Sequence, residues 1–566
     1  MYQIPQIGWP YRPVGKLVAC MQSSAFFSPF KPPKTGASKG ATTTMSFAST
    51  STSLFGLVYL PIVLVLGVLS KYFLASRRPR NFPPGPPTAP FIGNITQVPP
   101  VKAFLKFQQM QAEYGSIIGL KFGSQNVVIL NSYKHVRALF DQRGSLYSSR
   151  PNTYIGNIVC PNEIHLLLLP YGGEWRKQRK ILQSLLNINV VDRLLPLQSA
   201  EATQTMFQLL QDPQGYYDHI RRYTTAVILA SVYGQRGERF DSPNVQALYH
   251  AQDQFTAILE QGATPPVDAF PFLKMVPEFL APWKTRARAV REEQKSLYLR
   301  LLRETRERLE AGKGGDCFLQ TMLREQEKNG MDDEHIAYLA GNLMEAGSDT
   351  TASTLLSFLL AMIKYPEEFR KAQIEVDSVC GTSRSPTPDD FDRLPFIKAC
   401  MYETIRWRPV AAGGVAHMLT RDDTYEGYFL PKGTICFANT WAIHNDETEY
   451  ERPGEFLPDR FLGNEYGTRV PVDKSTDSHR RTTTKTRVSR LTGCHKMLNM
   501  AKIAWAFNLA PGSAVVNDDI GTAYSDGFLI APEKFPLLIT PRSNRHGEII
   551  QNEYNATKPF WQKYED

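Results

Sequence analysis

The most regular pattern of hydrophobic and polar positions lies between about residues 332 and 364. Apolar residues recur there at the spacing of helix faces, both in residues 336–343 and in residues 355–360. An aspartate at position 332 or 333 can cap the start, and Pro366 can close the end. The pattern predicts one long buried helix.

The centre of this predicted helix is polar and contains small residues. Residues 344–351 have the sequence Met-Glu-Ala-Gly-Ser-Asp-Thr-Thr. Glycine lowers helix stability, and a side-chain hydroxyl can bond the carbonyl one turn back. An acid beside an alcohol in such a groove predicts a place that holds a small polar molecule and passes protons to it. On this segment alone, a small-residue patch where another helix crosses is an equally good interpretation.

A second apolar pattern runs from residue 54 to residue 69, and it extends to residue 74 if Lys71 snorkels. A transmembrane helix needs about 20 such residues. The alternative is a signal-peptide core, but no small-residue cleavage site follows. Instead come basic residues (Lys71, Arg77, Arg78, Arg80) and a Pro-rich stretch. By the positive-inside rule, these basic residues predict a cytosolic location for the domain that follows.

The other patterns predict a mainly α protein with small β-sheets, of the α+β class. A helix of interleaved charges, expected at the surface, spans residues 286–311. The remaining predicted elements are helices at 104–111, 175–186 and 366–379, a hairpin at 117–122 and 126–130, a strand-like region at 418–438, and a helix end at 501–508 that Pro511 and Gly512 stop.

Charge and cysteines narrow the class of protein. The formal net charge is +9, and no Asp or Glu precedes Glu113. This favours a membrane surface and an acidic partner, and the chain has no basic-aromatic stripe that would indicate nucleic-acid binding. The seven cysteines are scattered without paired spacing. That argues against a disulfide scaffold or a zinc site and for a reducing compartment.

Five short motifs follow one another in a characteristic order. They are Phe-Pro-Pro-Gly-Pro at 82–86, Trp-Arg-Lys-Gln-Arg at 175–179, the polar centre at 344–351, Glu-Thr-Ile-Arg at 403–406 and Phe-Leu-Pro-Asp-Arg-Phe at 456–461. Each is weak alone. In this order they resemble the cytochrome P-450 (haem-thiolate monooxygenase) family, in its membrane-anchored eukaryotic type. Residues 441–446 and 466–469 are similar to filamentous-fungal enzymes of secondary metabolism.

The resemblance implies a cytochrome P-450 fold behind an N-terminal transmembrane helix. The predicted divisions are a low-complexity extension at 1–53 (with a start at Met45 as an alternative), an anchor at 54–74, a basic and Pro-rich hinge at 75–90, a catalytic domain at 91–545 and a C-terminal tail at 546–566.

The resemblance also implies a b-type haem and gives roles to residues around it. Asp349 and Thr350 would deliver protons to iron-bound dioxygen, and Ala346 and Gly347 would line the oxygen groove. The loop at 154–170 would close over the substrate, although simple core packing explains any one of its residues equally well.

Six further residues have implied roles. Trp175 and Arg179 would reach one haem propionate and His417 the other, while Glu403, Arg406 and Arg460 would form a buried structural cluster behind the haem. Without the resemblance, Trp175 and Arg179 would suit an ordinary amphipathic helix, and His417 a strand histidine with a backbone partner.

The sequence departs from the family at the haem-binding loop. The family pattern is Phe-x-x-Gly-x-Arg-x-Cys-x-Gly, with the cysteine as the axial iron ligand. Residues 482–496 contain no Phe, a single Gly and several basic residues. Cys494 is the one candidate ligand, but it lies about two helical turns too close to the next helix. The alternative is that this stretch is a frame or splicing error, or a true lesion, and that Cys494 is an accident of it.

The expected function is therefore a monooxygenase (EC 1.14 class) that oxidises an apolar intermediate of fungal secondary metabolism. The expected partners are NADPH-cytochrome P-450 reductase, cytochrome b5 as a further candidate, and the endoplasmic reticulum membrane, with a single span and a cytosolic catalytic domain. The rival is a catalytically dead or mis-spliced protein of the same fold that acts at most as a membrane-anchored ligand-binding protein.

Overall fold

The computed structural model describes residues 50–260, 262–313, 316–469, 488–513, 515–562 and 564. The predicted low-complexity extension before residue 50, with Met45, lies outside the described residues, as does the first part of the aberrant stretch, residues 482–487. The chain divides into two compact units, residues 1–66 and residues 67–566.

The first helix, α1 (Thr50–Ala75), contains the boundary between the two units. Several of its apolar side chains are exposed, including Leu60 at 63% and Val68 at 67%. In the described part of the chain, none of the helices combines the length and the apolar character needed to cross a membrane.

The larger unit is mostly helical. Its helices are α2 (Ala103–Tyr114), α3 (Tyr133–Val136), α4 (Gly144–Tyr147), α5 (Tyr154–Val159), α6 (Gly173–Leu185), α7 (Ile188–Asp192), α8 (Leu195–Gln211), α9 (Tyr216–Tyr233), α10 (Pro243–Leu259), α11 (Pro282–Glu310), α12 (Phe318–Arg324), α13 (Gln326–Asn329), α14 (Asp333–Lys364), α15 (Pro366–Cys380), α16 (Pro395–Trp407), α17 (Thr440–His444), α18 (Arg460–Gly463), α19 (Val488–Ala506) and α20 (Asn544–Trp561).

Helix α14 confirms the long helix that the sequence predicts. The Asp332 carboxylate caps it by accepting a hydrogen bond from the His335 amide at 2.8 Å. Pro366 comes two residues after its last residue, Lys364, and begins α15, because proline suits the first turn of a helix and not an interior. Along its length α14 packs most closely against α9 and α11.

Three small sheets accompany the helices. The largest has the order β1-β2-β6-β3, with β1 (Ile117–Phe122) antiparallel to β2 (Gln125–Leu130) as the sequence predicts. The strand-like region at 418–438 divides into four short strands: β3 (His417–Met418), β4 (Asp423–Tyr425), β5 (Tyr428–Leu430) and β6 (Ile435–Ala438). The third sheet pairs β7 (Phe507–Pro511) with β8 (Leu537–Pro541).

One sequence expectation is wrong in detail. The helix predicted at 501–508 ends at Ala506, and the chain continues directly into β7 because that segment pairs with β8. Helix α11 lies at the surface as predicted, and it buries one face that includes Gln294 and Tyr298. The charged pattern of α11 describes its outer side.

Two large hydrophobic cores meet along α14. One contains α14 residues up to Met344 together with α10 and α11, and the other contains α14 residues from Ala352 onward together with α16 and α19. Residues 345–351 belong to neither core. The polar centre of α14 therefore lies between the two cores of the larger unit.

Candidate active site

The polar centre of α14 opens onto a solvent-accessible space. Nearly all of α14 from Ile336 to Ile363 is buried, but Ala346 is exposed and Asp349 and Thr350 are half-buried. Residues four apart on a helix share a face, so Ala346 and Thr350 form one exposed stripe. This stripe is the open face of an otherwise enclosed helix.

Gly347 lies on a different face from the exposed stripe. A side chain at this position would meet the Ile228 side chain of α9 at 2.5 Å. The glycine therefore allows α9 and α14 to approach closely. Its predicted role in an oxygen groove stays a prediction.

Asp349 is an acid with an altered pKa. Burial raises the pKa of its carboxyl to about 6, the charge of Asp253 adds to that rise, and the charge of Arg221 opposes it. A carboxyl with this pKa exchanges protons near neutral pH.

Thr350 follows Asp349 and carries the hydroxyl on the exposed stripe. Its Oγ1 donates to the Ala346 carbonyl at 2.9 Å. This is the bond to the preceding turn that the sequence suggests for a hydroxyl inside a helix. An acid and an alcohol thus stand side by side at the opening.

His417 lies in β3, is half-buried, and has Arg150 nearby. Its Nδ1 lies 2.7 Å from the Tyr147 carbonyl, and its ring stacks on Phe140. Burial and the nearby charge of Arg150 lower the pKa of His417 to about 4. The ring is therefore neutral, with Nδ1 as the donor to that carbonyl and Nε2 carrying a lone pair.

Arg150 is the neighbour that the sequence did not identify as a site residue. Its guanidinium donates to the Ala416 carbonyl at 2.6 Å, and burial lowers its pKa to about 10. It forms no ion pair with any described residue. A half-buried cation without an ion-pair partner among the described residues suits an anionic ligand. The signal in the sequence is weak, because only the fold brings residue 150 to residues 416 and 417.

Trp175 belongs to the same region. Its ring contacts Tyr171 at 5.1 Å between centroids, and the Tyr171 amide donates to the Ser149 hydroxyl at 3.2 Å. The Ser149 carbonyl in turn accepts from the Met418 amide at 2.8 Å. These contacts bring three segments together: the start of α6, strand β3, and the residues just before Arg150.

Arg179 lies one helical turn beyond Trp175 on α6. It is half-buried and forms no ion pair or hydrogen bond with the residues that the structure describes. Its guanidinium is available to an anion.

Glu403, Arg406 and Arg460 meet as the resemblance implies. Arg406 binds the Glu403 carboxylate through two bonds, at 2.7 and 2.8 Å, and it also donates to the carbonyls of His444, Pro453 and Glu455. The Arg460 Nε lies 3.2 Å from Glu403 Oε2. Both partners of the central pair are buried, so the cluster is part of the core.

Cys494 lies inside α19 and is half-buried. The family carries its ligand in a loop before the helix, so this placement differs from the implied one. The predicted role of Cys494 as ligand stays a prediction. Residues 470–487, which precede α19, lie outside the described part.

The two residues after Cys494 do not suit their surroundings. His495 is fully buried, and neither ring nitrogen has a hydrogen-bond partner in the described part of the chain. Burial lowers the pKa of His495 to about 3 and that of Lys496 to about 8. A buried base without a hydrogen-bond partner, such as His495, destabilises a fold, which agrees with the aberrant sequence of this stretch.

Two parts of the site fit a haem: the open stripe of α14, and the region of Arg150, Trp175, Arg179 and His417. Arg150 and Arg179 are cations, Trp175 and His417 carry ring nitrogens, and the exposed stripe at Ala346 suits a flat apolar ring. The other described cysteines are less suited to ligate iron than an exposed thiol, because burial raises the pKa of each (Cys160, Cys317, Cys380, Cys400, Cys436).

The loop at 154–170 mainly packs into the core. Residues 154–159 form α5, capped by the Thr153 hydroxyl, and Ile164 is buried. Leu166 and Leu168 pack against the same core from partly exposed positions. His165 reaches α14, where its Nε2 lies 2.9 Å from Glu345 Oε2.

Comparisons with known proteins agree with this geometry. The family model Cytochrome P-450 matches residues 83–478 and ends just before the aberrant stretch. Cytochrome P-450 monooxygenase yanC of Aspergillus niger is 37% identical over 514 residues, which cover 88% of this chain and 96% of that protein. Cytochrome P-450 monooxygenase patH of Penicillium expansum is 33% identical and covers 90% of this chain and 98% of its own.

A solved structure shows the same fold. A zebra fish cytochrome P-450 with progesterone has a TM-score of 0.64 and 22% identity, and it covers 79% of this chain and 100% of its own. The family model and the fungal relatives define a haem monooxygenase. The chain belongs to the cytochrome P-450 family, among its monooxygenases of EC class 1.14.

Proposed function

We propose that this protein inserts one oxygen atom into an apolar intermediate of fungal secondary metabolism, with haem b as its cofactor. The reaction balances as RH + O2 + NADPH + H+ → ROH + H2O + NADP+. The open stripe of α14, with Ala346 exposed and Asp349 beside Thr350, is the observation that carries the proposal. The fungal monooxygenases to which the chain is similar support it.

The cofactor and the protein have separate tasks in this reaction. A haem with a thiolate ligand supplies dioxygen activation, since electron donation from the sulfur favours O–O cleavage. The Asp349 carboxyl, with its pKa of about 6, takes up and releases protons at neutral pH. The Thr350 hydroxyl passes them on from Oγ1 at the opening.

Four residues would hold the cofactor at its carboxylate edge. Arg150 and Arg179 supply positive charge, and Trp175 supplies a ring N–H donor. His417 is neutral as it stands, with its Nε2 as an acceptor. A carboxylate placed beside it would favour protonation, so cofactor binding would raise the pKa of His417.

The redox partner that we propose is NADPH-cytochrome P-450 reductase, with cytochrome b5 as a second electron donor. The formal net charge of +9 supports an acidic partner.

We also propose attachment to the endoplasmic reticulum membrane through residues 54–74, with the catalytic domain in the cytosol. The exposed apolar side chains of α1 support this, as do the basic residues that follow. In addition, Phe272, Met275, Phe279 and Leu280 are exposed by 59–84%. They follow Ala269, whose carbonyl accepts from the Tyr72 hydroxyl of α1 at 2.6 Å.

The test uses a form in which residues 482–496 are rebuilt to the family loop, together with the reductase, NADPH and 18O2. A panel of apolar aromatic and terpenoid compounds is incubated and analysed by mass spectrometry. We expect products that contain one 18O atom. Binding of these compounds without any 18O incorporation, in a rebuilt protein that holds haem, would instead support the ligand-binding rival.

A further inference from the structure

Gln252 of α10 binds two atoms of the polar centre of α14. Its side chain is buried, with 3% exposure. Its Nε2 donates to the Glu345 carbonyl at 3.2 Å, and its Oε1 accepts from the Ser348 hydroxyl at 2.9 Å. Residues three apart are neighbours on a helix surface. One side-chain amide therefore spans the helical turn that directly precedes Asp349 and Thr350.

The bond to the Glu345 carbonyl reaches the backbone that carries Asp349. In an α-helix the carbonyl of residue 345 also accepts from the amide of residue 349. Gln252 thus shares a backbone acceptor with the residue whose carboxyl exchanges protons near neutral pH. Because Asp349 lies one turn after Glu345, a change in this turn moves the carboxyl directly.

The bond from Ser348 prevents a competing bond within α14. A serine inside a helix can donate to the carbonyl four residues earlier, which destabilises or bends the helix. Thr350 and Thr354 make such bonds, to the carbonyls of Ala346 at 2.9 Å and of Thr350 at 2.8 Å. A hydroxyl has one proton to donate, and Ser348 donates it to Gln252. The turn before Asp349 is therefore free of this internal bond.

Helix α10 is fixed on both sides of Gln252. The Tyr249 hydroxyl donates to the Arg221 carbonyl of α9 at 2.9 Å, and the Phe255 ring stacks on His165 at 4.7 Å between centroids. Both Tyr249 and Phe255 are buried. Gln252 is therefore presented to α14 by a helix that is held within one turn in each direction.

The Glu345 carboxylate has separate partners. Gln294 Nε2 donates to it at 2.9 Å, the Tyr298 hydroxyl also donates to it, and His165 Nε2 lies 2.9 Å away. These groups belong to α11 and to the loop at 154–170. The backbone and the side chain of Glu345 are thus bound by different elements, so each kind of bond can be removed separately.

We propose that Gln252 is a positioning residue for Asp349 and Thr350. It acts through α14, because it holds the turn on which the acid and the alcohol stand. The role rests on the proposed function, in which these two groups move protons. Without Gln252, the Ser348 hydroxyl can bond the carbonyl one turn back, and the turn loosens.

The first measurement is hydrogen exchange along α14, read by mass spectrometry on the full chain purified in detergent. Gln252→Leu removes both bonds to α14. The matched control is Gln294→Leu, which removes a buried amide of the same size that binds the Glu345 carboxylate instead of its carbonyl. A double variant, Gln252→Leu with Ser348→Ala, also removes the hydroxyl that the first substitution sets free.

We expect exchange at residues 345–351 to become about tenfold faster in Gln252→Leu. Exchange there should stay near the wild-type rate in Gln294→Leu and return partly toward it in the double variant. Residues 336–343 and 355–363 report general opening of α14. Equal acceleration along the whole helix, or in both single variants, would show a general loss of stability and would overturn the proposal.

The second measurement uses the loop-rebuilt enzyme and the panel compound that gives most 18O product. We expect Gln252→Leu to lower product formed per NADPH by about threefold or more, with peroxide released instead and KM unchanged, because proton delivery and not substrate binding is impaired. Gln294→Leu should leave this ratio unchanged.

The two measurements separate this proposal from the proposed function. Faster local exchange with unchanged product per NADPH would overturn the positioning role and leave the oxidation standing. A panel that yields no 18O product would refute the oxidation alone, since exchange is measured without turnover.

Discussion

Glu403 and Arg406 are buried charges that satisfy each other, and both also bind backbone groups of the segment before α18. Bidentate contact with a carboxylate is the geometry for which arginine is suited. Removal of one partner leaves the other charge buried and unpaired. Removal of either residue is therefore strongly destabilising, although the intact pair contributes little net stability.

We expect Arg406→Ala to lower the free energy of unfolding by about 3–5 kcal/mol, measured by urea denaturation. Arg452→Ala is the matched control, because Arg452 is exposed and its pair with Glu455 at 3.0 Å lies at the surface. Its effect should stay below about 1 kcal/mol. Equal effects of the two substitutions would argue against the cluster as a structural element.

Lys496 is the contrasting case, a buried base whose pKa is lowered by burial. We expect Lys496→Met to raise the free energy of unfolding at pH 7 by roughly 1–3 kcal/mol, because the charged form is no longer buried. The folded-state pKa is lowered from 10.5 to about 8, so the unfolded chain binds more protons between these values. Wild-type stability therefore rises with pH across that window.

The gain from Lys496→Met should accordingly shrink as the pH rises from 8 to 10.5. Thermal unfolding of the wild type and of Lys496→Met across this pH range measures the change in the gain. A gain that is independent of pH would mean that improved packing, and not the buried charge, explains the stabilisation.

Thr350 supplies the hydroxyl of the exposed stripe. In the loop-rebuilt enzyme we expect Thr350→Ala to lower product formed per NADPH by roughly tenfold or more, with hydrogen peroxide released instead, because proton delivery is impaired. Thr354→Val keeps the open stripe intact and should leave this ratio unchanged. Parallel assays of NADPH, peroxide and product decide between the two results.

At the scale of elements, local signals explain which predictions succeed. The bounds of α14 follow from the Asp332 cap and from Pro366, which act within one turn of the helix ends. Strand β7 has no such signal, because its apolar residues continue a helical pattern and its partner β8 begins at Leu537. The site follows the same rule: the pair at 349 and 350 is visible in the sequence, whereas Arg150 depends on the distant β3.

The element α1 leads to a prediction about membrane attachment. We expect deletion of residues 1–74 to release part of the protein from microsomes, since it removes the longest apolar run in the sequence. The part that remains bound should be held by the exposed side chains of Phe272, Met275 and Phe279. Release into carbonate and into high salt measures both fractions.

A second variant separates these two contributions. Substitution of Met275 and Phe279 by serine in the truncated protein should increase the released fraction further. If the truncated protein stays fully bound regardless of these substitutions, another attachment must exist.

At the scale of the whole molecule, two hydrophobic cores meet around α14, whose polar centre forms the proposed active site. Iron chemistry also depends on the loop before α19. The two cores, the open stripe at Ala346 and Thr350, and the positive charge of Arg150 and Arg179 are all formed by described residues. The axial thiolate needs a loop of defined pattern, and residues 482–496 lack its aromatic residue, its glycines and its arginine spacing. The fold and the iron centre can therefore fail independently of each other.

The chain as written should consequently fold but form no normal haem-thiolate centre. Cys494 lies within α19, and neither ring nitrogen of the buried His495 that follows it has a hydrogen-bond partner in the described part of the chain. A thiolate that does not reach iron cannot donate electrons to it. The measurement compares the 566-residue chain with a loop-rebuilt form after reduction under carbon monoxide. We expect the thiolate-type absorbance band only from the rebuilt form, while both forms show the same helical content by circular dichroism. A full band from the chain as written that Cys494→Ser removes would establish Cys494 as the ligand.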